Sequence, residues 1–189
     1  MSRRAVFLDR DGVINQYNSD YVRVPSDFEF YPDAEEAFRV LGTLSVPIVI
    51  VTNQSGIGRG YTTKEIVDTI HAGMVKKVER WGATITSVEV CPHTPTDDCH
   101  CRKPADGLFT RAAEAHDLQL TGSFLVGDSW SDIVSARRSN LRAVRVRTGR
   151  GAEPLPVGVR AEVTVDGLFE AAQWIAEHWD TPPPRPASW

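Results

Sequence analysis

The chain of 189 residues lacks several features that mark whole classes of protein. Its three cysteines are too few, and odd in number, for the disulfide framework of a small secreted protein. No segment approaches the roughly 18 consecutive apolar residues of a membrane span. An excess of positive charge is also missing, since the net charge is -4 and the pI is about 5.7. This charge gives no electrostatic case for binding to nucleic acid or to an anionic membrane.

The first residues lack the long apolar region of a secretory signal peptide. The apolar run that follows the two arginines spans only residues 5–8, and acidic residues come directly after it. We therefore expect a cytoplasmic protein without nucleic-acid or membrane partners, acting as a monomer. Residues 1–180 are predicted to form a single domain, and residues 181–189, with four prolines, a flexible tail.

Short apolar segments alternate with amphipathic ones along the chain. The predicted strands are residues 5–8, 47–51, 87–90, 123–126 and 142–147. The predicted helices are residues 33–44, 62–81, 106–116, 131–139 and 167–179, with loops at 15–32 and 148–160. This alternation predicts an α/β fold of three layers, in which helices cover both faces of a central parallel sheet. Ligands bind such sheets at the carboxyl ends of the strands.

Asp9 and Asp11 directly follow the first predicted strand. Two carboxylates at this spacing in extended chain point the same way and repel each other. A divalent cation relieves the repulsion, and carboxylate oxygens are ligands that Mg²⁺ prefers. Gly12 permits a sharp turn after them. The pair alone leaves a second interpretation open, in which a polar strand end caps a turn.

A cluster of hydroxyl and amide side chains follows the second predicted strand, in the run Thr52-Asn53-Gln54-Ser55. Such groups can hold the oxygens of a phosphoryl group, although the same residues also make ordinary turns. Arg102 and Lys103 add two cations suited to phosphate, unless they form a solvated basic pair.

Two further acids, Asp128 and Asp132, follow the fourth predicted strand. Asp128 is placed to complete a metal site with Asp9 at the same edge of the sheet. Asp132 comes one helical turn later and could orient Lys103 or a metal-bound water. The alternative is that these residues only cap the next helix.

A short segment holds all three cysteines and supplies a possible zinc site. Cys91, His93, Cys99 and Cys101 form a Cys₃His set, which suits a tetrahedral structural Zn²⁺. His100 is the alternative imidazole ligand, and free thiols are the alternative to a metal site. Because Arg102 and Lys103 come next, we expect zinc to fix the loop that carries these cations.

Taken in this order, the motifs resemble those of the haloacid dehalogenase (HAD) superfamily of phosphohydrolases over residues 5–147. The matching residues are Asp9 and Asp11 of an acid-x-acid motif, Thr52, Lys103, and Asp128 and Asp132 of a Gly-Asp-x-x-x-Asp motif. The resemblance implies a phosphatase of the Rossmann-like HAD fold that works through a phospho-aspartyl intermediate.

The resemblance also implies a role for each residue of these motifs. Asp9 is the nucleophile, and Asp11 is the general acid and then the general base. Thr52 and Lys103 neutralise charge on the transferring group. Mg²⁺ is held by Asp9, by the backbone carbonyl of Asp11 and by Asp128, and Asp132 has a supporting role.

The zinc loop narrows the resemblance to one branch of the superfamily. Together with the runs Asp-Arg-Asp-Gly-Val-Ile-Asn and Thr-Asn-Gln-Ser-Gly-Ile-Gly-Arg-Gly, it is similar to the D,D-heptose 1,7-bisphosphate 7-phosphatases. The similar histidinol-phosphate phosphatase branch is the alternative, and a non-catalytic, zinc-stabilised binding module is a remote one. Ser129 departs from the branch, whose members often have Lys there, and this departure leaves open how the second phosphate is bound.

The spacing of the motifs leaves no room for a separate cap domain, so we expect a minimal cap and a site walled by loops. A phosphorylated sugar is then the expected substrate. The residues expected to contact it are Asn18, Ser19, Asp20, Tyr21, Asn53, Gln54, Ser55 and Arg102.

Overall fold

A computed structural model of the chain describes residues 2–182. Its strands are β1 (Arg3–Leu8), β2 (Ile48–Asn53), β3 (Ile85–Cys91), β4 (Leu118–Gly127), β5 (Arg142–Val146) and β6 (Val163–Val165). Its helices are α1 (Ala34–Thr43), α2 (Ser55–Gly58), α3 (Lys64–Arg80), α4 (Gly107–His116), α5 (Trp130–Arg138) and α6 (Leu168–His178), and a 3₁₀ turn spans Pro25–Asp27. The predicted tail at 181–189 lies almost entirely outside the described residues.

The six strands form one parallel sheet in the order β3-β2-β1-β4-β5-β6. Strand β1 lies in the interior of the sheet, where Phe7 pairs with Val49 of β2 on one side and with Leu125 of β4 on the other. The apolar residues 5–8 are completely buried, as expected for a strand covered on both faces. The predicted parallel α/β sheet is confirmed.

Helices cover both faces of the sheet, and the side chains of β1 alternate between the two layers. Val6 and Leu8 pack into a cluster with buried residues of α1, α3 and α6. Ala5 and Phe7 face the opposite way and pack with buried residues of α4 and α5. The apolar core therefore holds β1 rigidly from both sides, and the position of Asp9 at its end is fixed.

Two elements of the structure were not predicted. Strand β6 has only three residues, and the single-turn helix α2 has the sequence Ser-Gly-Ile-Gly, which carries no helical periodicity. Helix α2 is held by long-range backbone hydrogen bonds instead, from Gln54 N to Cys91 O (2.7 Å) and from Gly58 N to Pro92 O (3.0 Å). Strand β4 also begins earlier than predicted, at Leu118.

The segments between the motifs are short, as the predicted minimal cap requires. Residues 13–51 contain the 3₁₀ turn, α1 and most of β2, and residues 56–101 contain the end of α2, α3, β3 and the cysteine loop. The described chain thus has no separate cap domain at either position. None of the helices within residues 2–182 is both long and apolar enough to span a membrane.

Candidate active site

The sheet order brings the predicted motifs to one edge. Strands β1, β2 and β4 are neighbours, so Asp9, Thr52 and Asp128 meet at their carboxyl ends, and Lys103 reaches them from the loop before α4. These four residues line a cavity of about 550 Å³, a size typical of small-molecule sites. The polar groups therefore converge on one cavity rather than capping separate turns.

Lys103 is the central cation of the site. Its Nζ lies 2.9 Å from Asp9 Oδ1 and 2.6 Å from Asp132 Oδ1, and it donates to Val51 O at 2.8 Å. Burial acts to lower the pKa of Lys103, but Asp132 and Asp9 raise it above its ordinary value, so the side chain is charged. The ammonium group is thus surrounded by two carboxylates and one backbone carbonyl. Lys103 therefore acts directly on the Asp9 carboxylate.

Asn53 fixes the loop that carries Lys103. Its Nδ2 donates to Lys103 O at 3.1 Å, and its Oδ1 accepts from Lys103 N at 3.1 Å. Sequence reasoning assigned Asn53 to the substrate, and it does line the cavity. Both ends of its amide, however, are engaged by the backbone of Lys103, so the contact that the structure gives it is one of positioning.

Asp11 accepts three side-chain hydrogen bonds. Its Oδ1 accepts from Arg10 Nη2 at 2.6 Å and from Asn15 Nδ2 at 3.0 Å, and its Oδ2 accepts from Gln54 Nε2 at 2.7 Å. Burial acts to raise the pKa of Asp11, but Arg10 and these hydrogen bonds lower it overall. Gln54 Nε2 also donates to Thr52 Oγ1 at 2.8 Å, and this leaves the Thr52 hydroxyl free to donate to a bound oxygen.

Three carboxylates crowd together beside Lys103. Asp9, Asp128 and Asp132 each offer an oxygen within 4.8 Å of the others. Burial, together with repulsion from Asp132, raises the pKa of Asp9 to about 7, although Lys103 opposes the change. Burial and repulsion from Asp132 and Asp9 raise the pKa of Asp128 to about 8. The cluster is thus short of positive charge, and its hard oxygen ligands fit Mg²⁺.

Two glycines enclose the Asp128 carboxylate, and sequence reasoning identified only one of them. A Cβ atom on Gly12 would lie 2.1 Å from Asp128 Oδ2, and one on Gly149 would lie 2.2 Å from the same oxygen. The backbone N of Arg150 donates to this oxygen at 2.7 Å. The positive φ of 86° at Gly12 allows the turn that brings it there. The segment around Gly149 was predicted only as a loop, although its glycines hinted at a close backbone approach.

The cysteine loop brings four metal-binding side chains together. Cys91 Sγ lies 3.6 Å from His93 Nδ1 and 3.7 Å from Cys99 Sγ, while Cys101 Sγ lies 3.3 Å from His93 Nδ1 and 3.6 Å from Cys99 Sγ. Thiolates about 2.3 Å from a tetrahedral zinc ion would lie about 3.8 Å apart. The observed separations are close to this value, so the set fits zinc with His93 as its imidazole, and His100 is not part of it.

The cysteine loop also contacts Arg102, one of the cations of the cavity. Arg102 Nη1 donates to the backbone carbonyl of His93 at 3.1 Å, and Arg102 lines the cavity. The position of this guanidinium therefore depends on the fold of the cysteine loop. This contact gives the predicted link between the metal loop and the active site a specific atom pair.

The rim of the cavity contains most of the predicted substrate-binding residues. Asn18, Ser19, Tyr21, Gln54, Ser55 and Arg102 line it, but Asp20 does not. Asp20 is exposed, and its backbone carbonyl accepts from Arg23 Nε. The cavity is also lined by residues that sequence reasoning had not assigned to the substrate, including Tyr17, Thr94, Ser129, Trp130 and Arg150. Tyr17, Thr94 and Arg150 come from loops, whereas Ser129 and Trp130 lie within the Gly-Asp-x-x-x-Asp motif at the start of α5.

Comparison with known proteins agrees with this geometry. A model of the HAD-hydrolase-like family matches residues 100–171. The chain is 37% identical over 162 residues to the D-glycero-β-D-manno-heptose-1,7-bisphosphate 7-phosphatase of Pseudomonas aeruginosa, which covers 84% of this chain and 91% of the relative. It is 34% identical over 161 residues to the enzyme of that name from Bordetella bronchiseptica, with 85% and 90% coverage.

A solved structure is similar over nearly the whole chain. The D,D-heptose 1,7-bisphosphate phosphatase from B. bronchiseptica, crystallised with magnesium and phosphate, superposes with a TM-score of 0.84 at 31% identity. The match covers 93% of this chain and 99% of the other. The corresponding enzyme from Burkholderia thailandensis superposes with a TM-score of 0.66 at 27% identity, with coverages of 92% and 98%.

Proposed function

The chain belongs to the heptose-1,7-bisphosphate 7-phosphatase family of HAD-like phosphatases, and we propose that it removes the 7-phosphate of D-glycero-D-manno-heptose 1,7-bisphosphate. The observation that carries the proposal is the contact of Lys103 with both Asp9 and Asp132 at the carboxyl edge of the sheet. This contact presents one carboxylate, fixed by a buried cation, to a cavity that admits a phosphate ester.

In this proposal Asp9 attacks phosphorus, and the bond from phosphorus to the sugar oxygen breaks as the phospho-aspartyl bond forms. Asp11 gives a proton to the departing alkoxide and then takes one from the water that hydrolyses the intermediate. Asp9 Oδ1 also accepts from Arg10 N at 2.7 Å, in addition to its contact with Lys103. Both contacts engage Oδ1, which leaves Oδ2 as the attacking atom.

Asp9, Asp128 and the backbone carbonyl of Asp11 would hold Mg²⁺, with Asp132 supporting the site through Lys103. When bound, the ion supplies the positive charge that keeps Asp9 ionised near neutral pH and that stabilises charge on the transferring phosphoryl group. The raised pKa of Asp9 and Asp128 supports this assignment, because both carboxylates need a cation to ionise fully near neutral pH. Thr52 donates its free hydroxyl hydrogen to a phosphoryl oxygen.

Charge at the rim supports a substrate with a second anionic group. Arg102 and Arg150 both line the cavity, and the guanidinium of Arg150 is braced by Glu153 at 2.9 and 2.7 Å. Ser129 also lines the cavity and carries no charge, so the positive charge for the distal phosphate comes from Arg102 and, partly offset by Glu153, from Arg150. Histidinol phosphate carries an amine and an imidazole at that end, which arginines would not attract.

Steady-state rates with Mg²⁺ test the proposal on the heptose bisphosphate and on histidinol phosphate. We expect a higher kcat/KM for the bisphosphate and no turnover in Asp9→Asn. Asp68→Asn is the matched control, since this exposed aspartate pairs only with Lys64 on the surface of α3, and it should retain full activity. A preference for histidinol phosphate would overturn the proposed substrate, and an active Asp9→Asn would overturn the proposed nucleophile.

The remaining features concern assembly and zinc. We propose that the enzyme works as a cytoplasmic monomer without nucleic-acid or membrane partners, an assignment supported by its net charge of -4 and by a cavity formed within one chain. Light scattering of the purified protein tests the monomer. We also propose that Cys91, His93, Cys99 and Cys101 hold a structural zinc ion, and metal analysis of the purified protein tests it.

A further inference from the structure

Arg10 lies between the two catalytic aspartates but is not accounted for by the proposed reaction. The whole residue is buried, with 0% exposure, and it is among the largest completely buried side chains of the described residues. Burying a guanidinium carries a large desolvation cost unless its hydrogens are bonded. Its Nε atom finds no partner within residues 2–182, so the other two nitrogens provide the compensation.

Those two nitrogens connect Asp11 to helix α3. Arg10 Nη2 donates to Asp11 Oδ1 at 2.6 Å, and Arg10 Nη1 lies 3.1 Å from His71 Nε2. His71 is 5% exposed and stands 61 positions further along the chain. Arginine can only donate, so His71 Nε2 must be the acceptor and the imidazole proton must sit on Nδ1. Arg10 therefore links His71 on α3 to Asp11, the proposed general acid.

A neutral acceptor is well suited to this position. Burial and then Arg10 lower the pKa of His71 to about 4, so the imidazole is uncharged at neutral pH. A carboxylate in its place would pair with the guanidinium and draw its charge away from Asp11. Neutral His71 orients Arg10 without competing for its charge.

On the basis of the proposed function, we propose that His71 is a positioning residue that holds the general acid Asp11 through Arg10. Arg10 and Asn15 both donate to Asp11 Oδ1, whereas Oδ2 accepts one side-chain hydrogen bond, from Gln54 Nε2. Oδ2 is therefore the less engaged oxygen, and we assign the transferred proton to it. Loss of the His71 acceptor removes one of the two polar contacts that hold the Arg10 guanidinium. Asp11 is then held less firmly, although Asn15 and Gln54 still contact it, and its alignment with the leaving oxygen is weakened. The defect is confined to proton transfer, because Asp9 is held separately by Lys103.

The experiment compares two leaving groups. The sugar alkoxide of the heptose bisphosphate needs a proton as it departs, whereas the nitrophenolate of p-nitrophenyl phosphate departs without one. We expect His71→Leu to lower kcat/KM for the bisphosphate by about tenfold or more, with a much smaller effect on p-nitrophenyl phosphate. His71→Gln, whose amide oxygen can accept from Arg10, should restore most of the loss.

Two further variants calibrate the result. Asp11→Asn should also lower kcat/KM for the bisphosphate more than for p-nitrophenyl phosphate, and by a larger factor than His71→Leu. Val78→Ala removes buried volume from α3 two turns away, so any effect that it has should fall equally on both substrates. If Asp11→Asn shows the selective loss and His71→Leu does not, the inference is wrong while the proposed function stands. If Asp11→Asn lowers kcat/KM, which reports the steps up to formation of the phospho-aspartyl intermediate, equally for both substrates, the proposed role of Asp11 as general acid fails and the inference fails with it.

A second measurement keeps the inference testable if His71→Leu does not fold. Heteronuclear NMR of the imidazole nitrogens in the wild-type protein reports which of them carries the proton. We expect a neutral ring with the proton on Nδ1. A proton on His71 Nε2 near neutral pH would overturn the inference, because that atom could not accept from Arg10.

Discussion

Gly12→Ala offers a sharp test of how the site holds Asp128. The added Cβ would lie 2.1 Å from Asp128 Oδ2 and 2.8 Å from its Cγ, and 3.2 Å from the Cα of Gly149 on the other side. Atoms cannot approach this closely, and Gly149 leaves little space behind the carboxylate. Asp128 must therefore move out of the position in which it would bind the metal.

Gly12→Ala should have two effects, a loss of stability and a loss of Mg²⁺ affinity, and a control variant can separate them. A left-handed backbone costs an alanine about 1–2 kcal/mol, and Gly12 has a φ of 86°. Gly82, at the end of α3, has a φ of 91° with no atom within 4 Å of an added Cβ, so Gly82→Ala should lose this backbone term alone. Displacing a group that orients a metal ligand typically lowers metal affinity by about 10–100-fold. Only Gly12→Ala should carry that second loss.

The assay is the Mg²⁺ concentration that gives half-maximal phosphatase activity, measured beside the free energy of unfolding in urea. Both variants should lose about 1–2 kcal/mol of stability or somewhat more, while only Gly12→Ala should need about 10–100-fold more Mg²⁺. An unchanged Mg²⁺ requirement in folded Gly12→Ala would refute this account of Asp128. An equal shift in Gly82→Ala would refute it as well.

Three further predictions concern other contacts of the site. The folded-state pKa of His71, about 4, lies below its ordinary 6.5, so its contribution to stability should be complete above about pH 6.5 and fall by at most about 3 kcal/mol as the pH drops toward 4. Denaturation at several pH values should show a flatter profile for His71→Gln. Removal of zinc, by chelation or in Cys101→Ser, should raise KM through the Arg102 contact with His93 O while circular dichroism shows an intact sheet; unchanged kinetics would contradict it. Asn53→Ala loses two hydrogen bonds to Lys103 and should lose about 2 kcal/mol of stability together with kcat, and an unchanged kcat would argue against this positioning contact.

The main residues of the active site could be predicted because each belongs to a short, local sequence pattern. Asp9, Thr52 and Asp128 each stand at or just after the end of an apolar run of strand length, and parallel strands bring such ends together. The four metal-binding residues of the cysteine loop were predictable for the same reason, because they lie within eleven positions of one another. Local sequence spacing was therefore sufficient to predict both the fold class and the main groups of the active site.

The remaining parts depend on contacts between distant segments. His71 has the appearance of an ordinary helical residue, and nothing near it in sequence shows that Arg10 needs an acceptor. Arg150 lies in a predicted loop, and its approach to Asp128 arises only when β4 and β5 pair. Helix α2 forms because β3 and the following residues supply its hydrogen-bond acceptors, although its glycines disfavour a helix. Sequence periodicity cannot reveal interactions of this kind.

The groups that cleave the phosphate ester and the groups that line the rim of the cavity belong to different parts of the fold. The reacting carboxylates follow β1 and the proposed metal ligand Asp128 follows β4, both strands in the interior of the sheet, whereas residues such as Tyr17, Arg102 and Arg150 belong to loops around the cavity. Substituting these rim side chains leaves the inner strands and their core untouched, provided that Lys103, Gly149 and the backbone around Arg150 are kept. Libraries confined to the rim should therefore yield enzymes that accept new phosphate esters while the power to cleave them is retained.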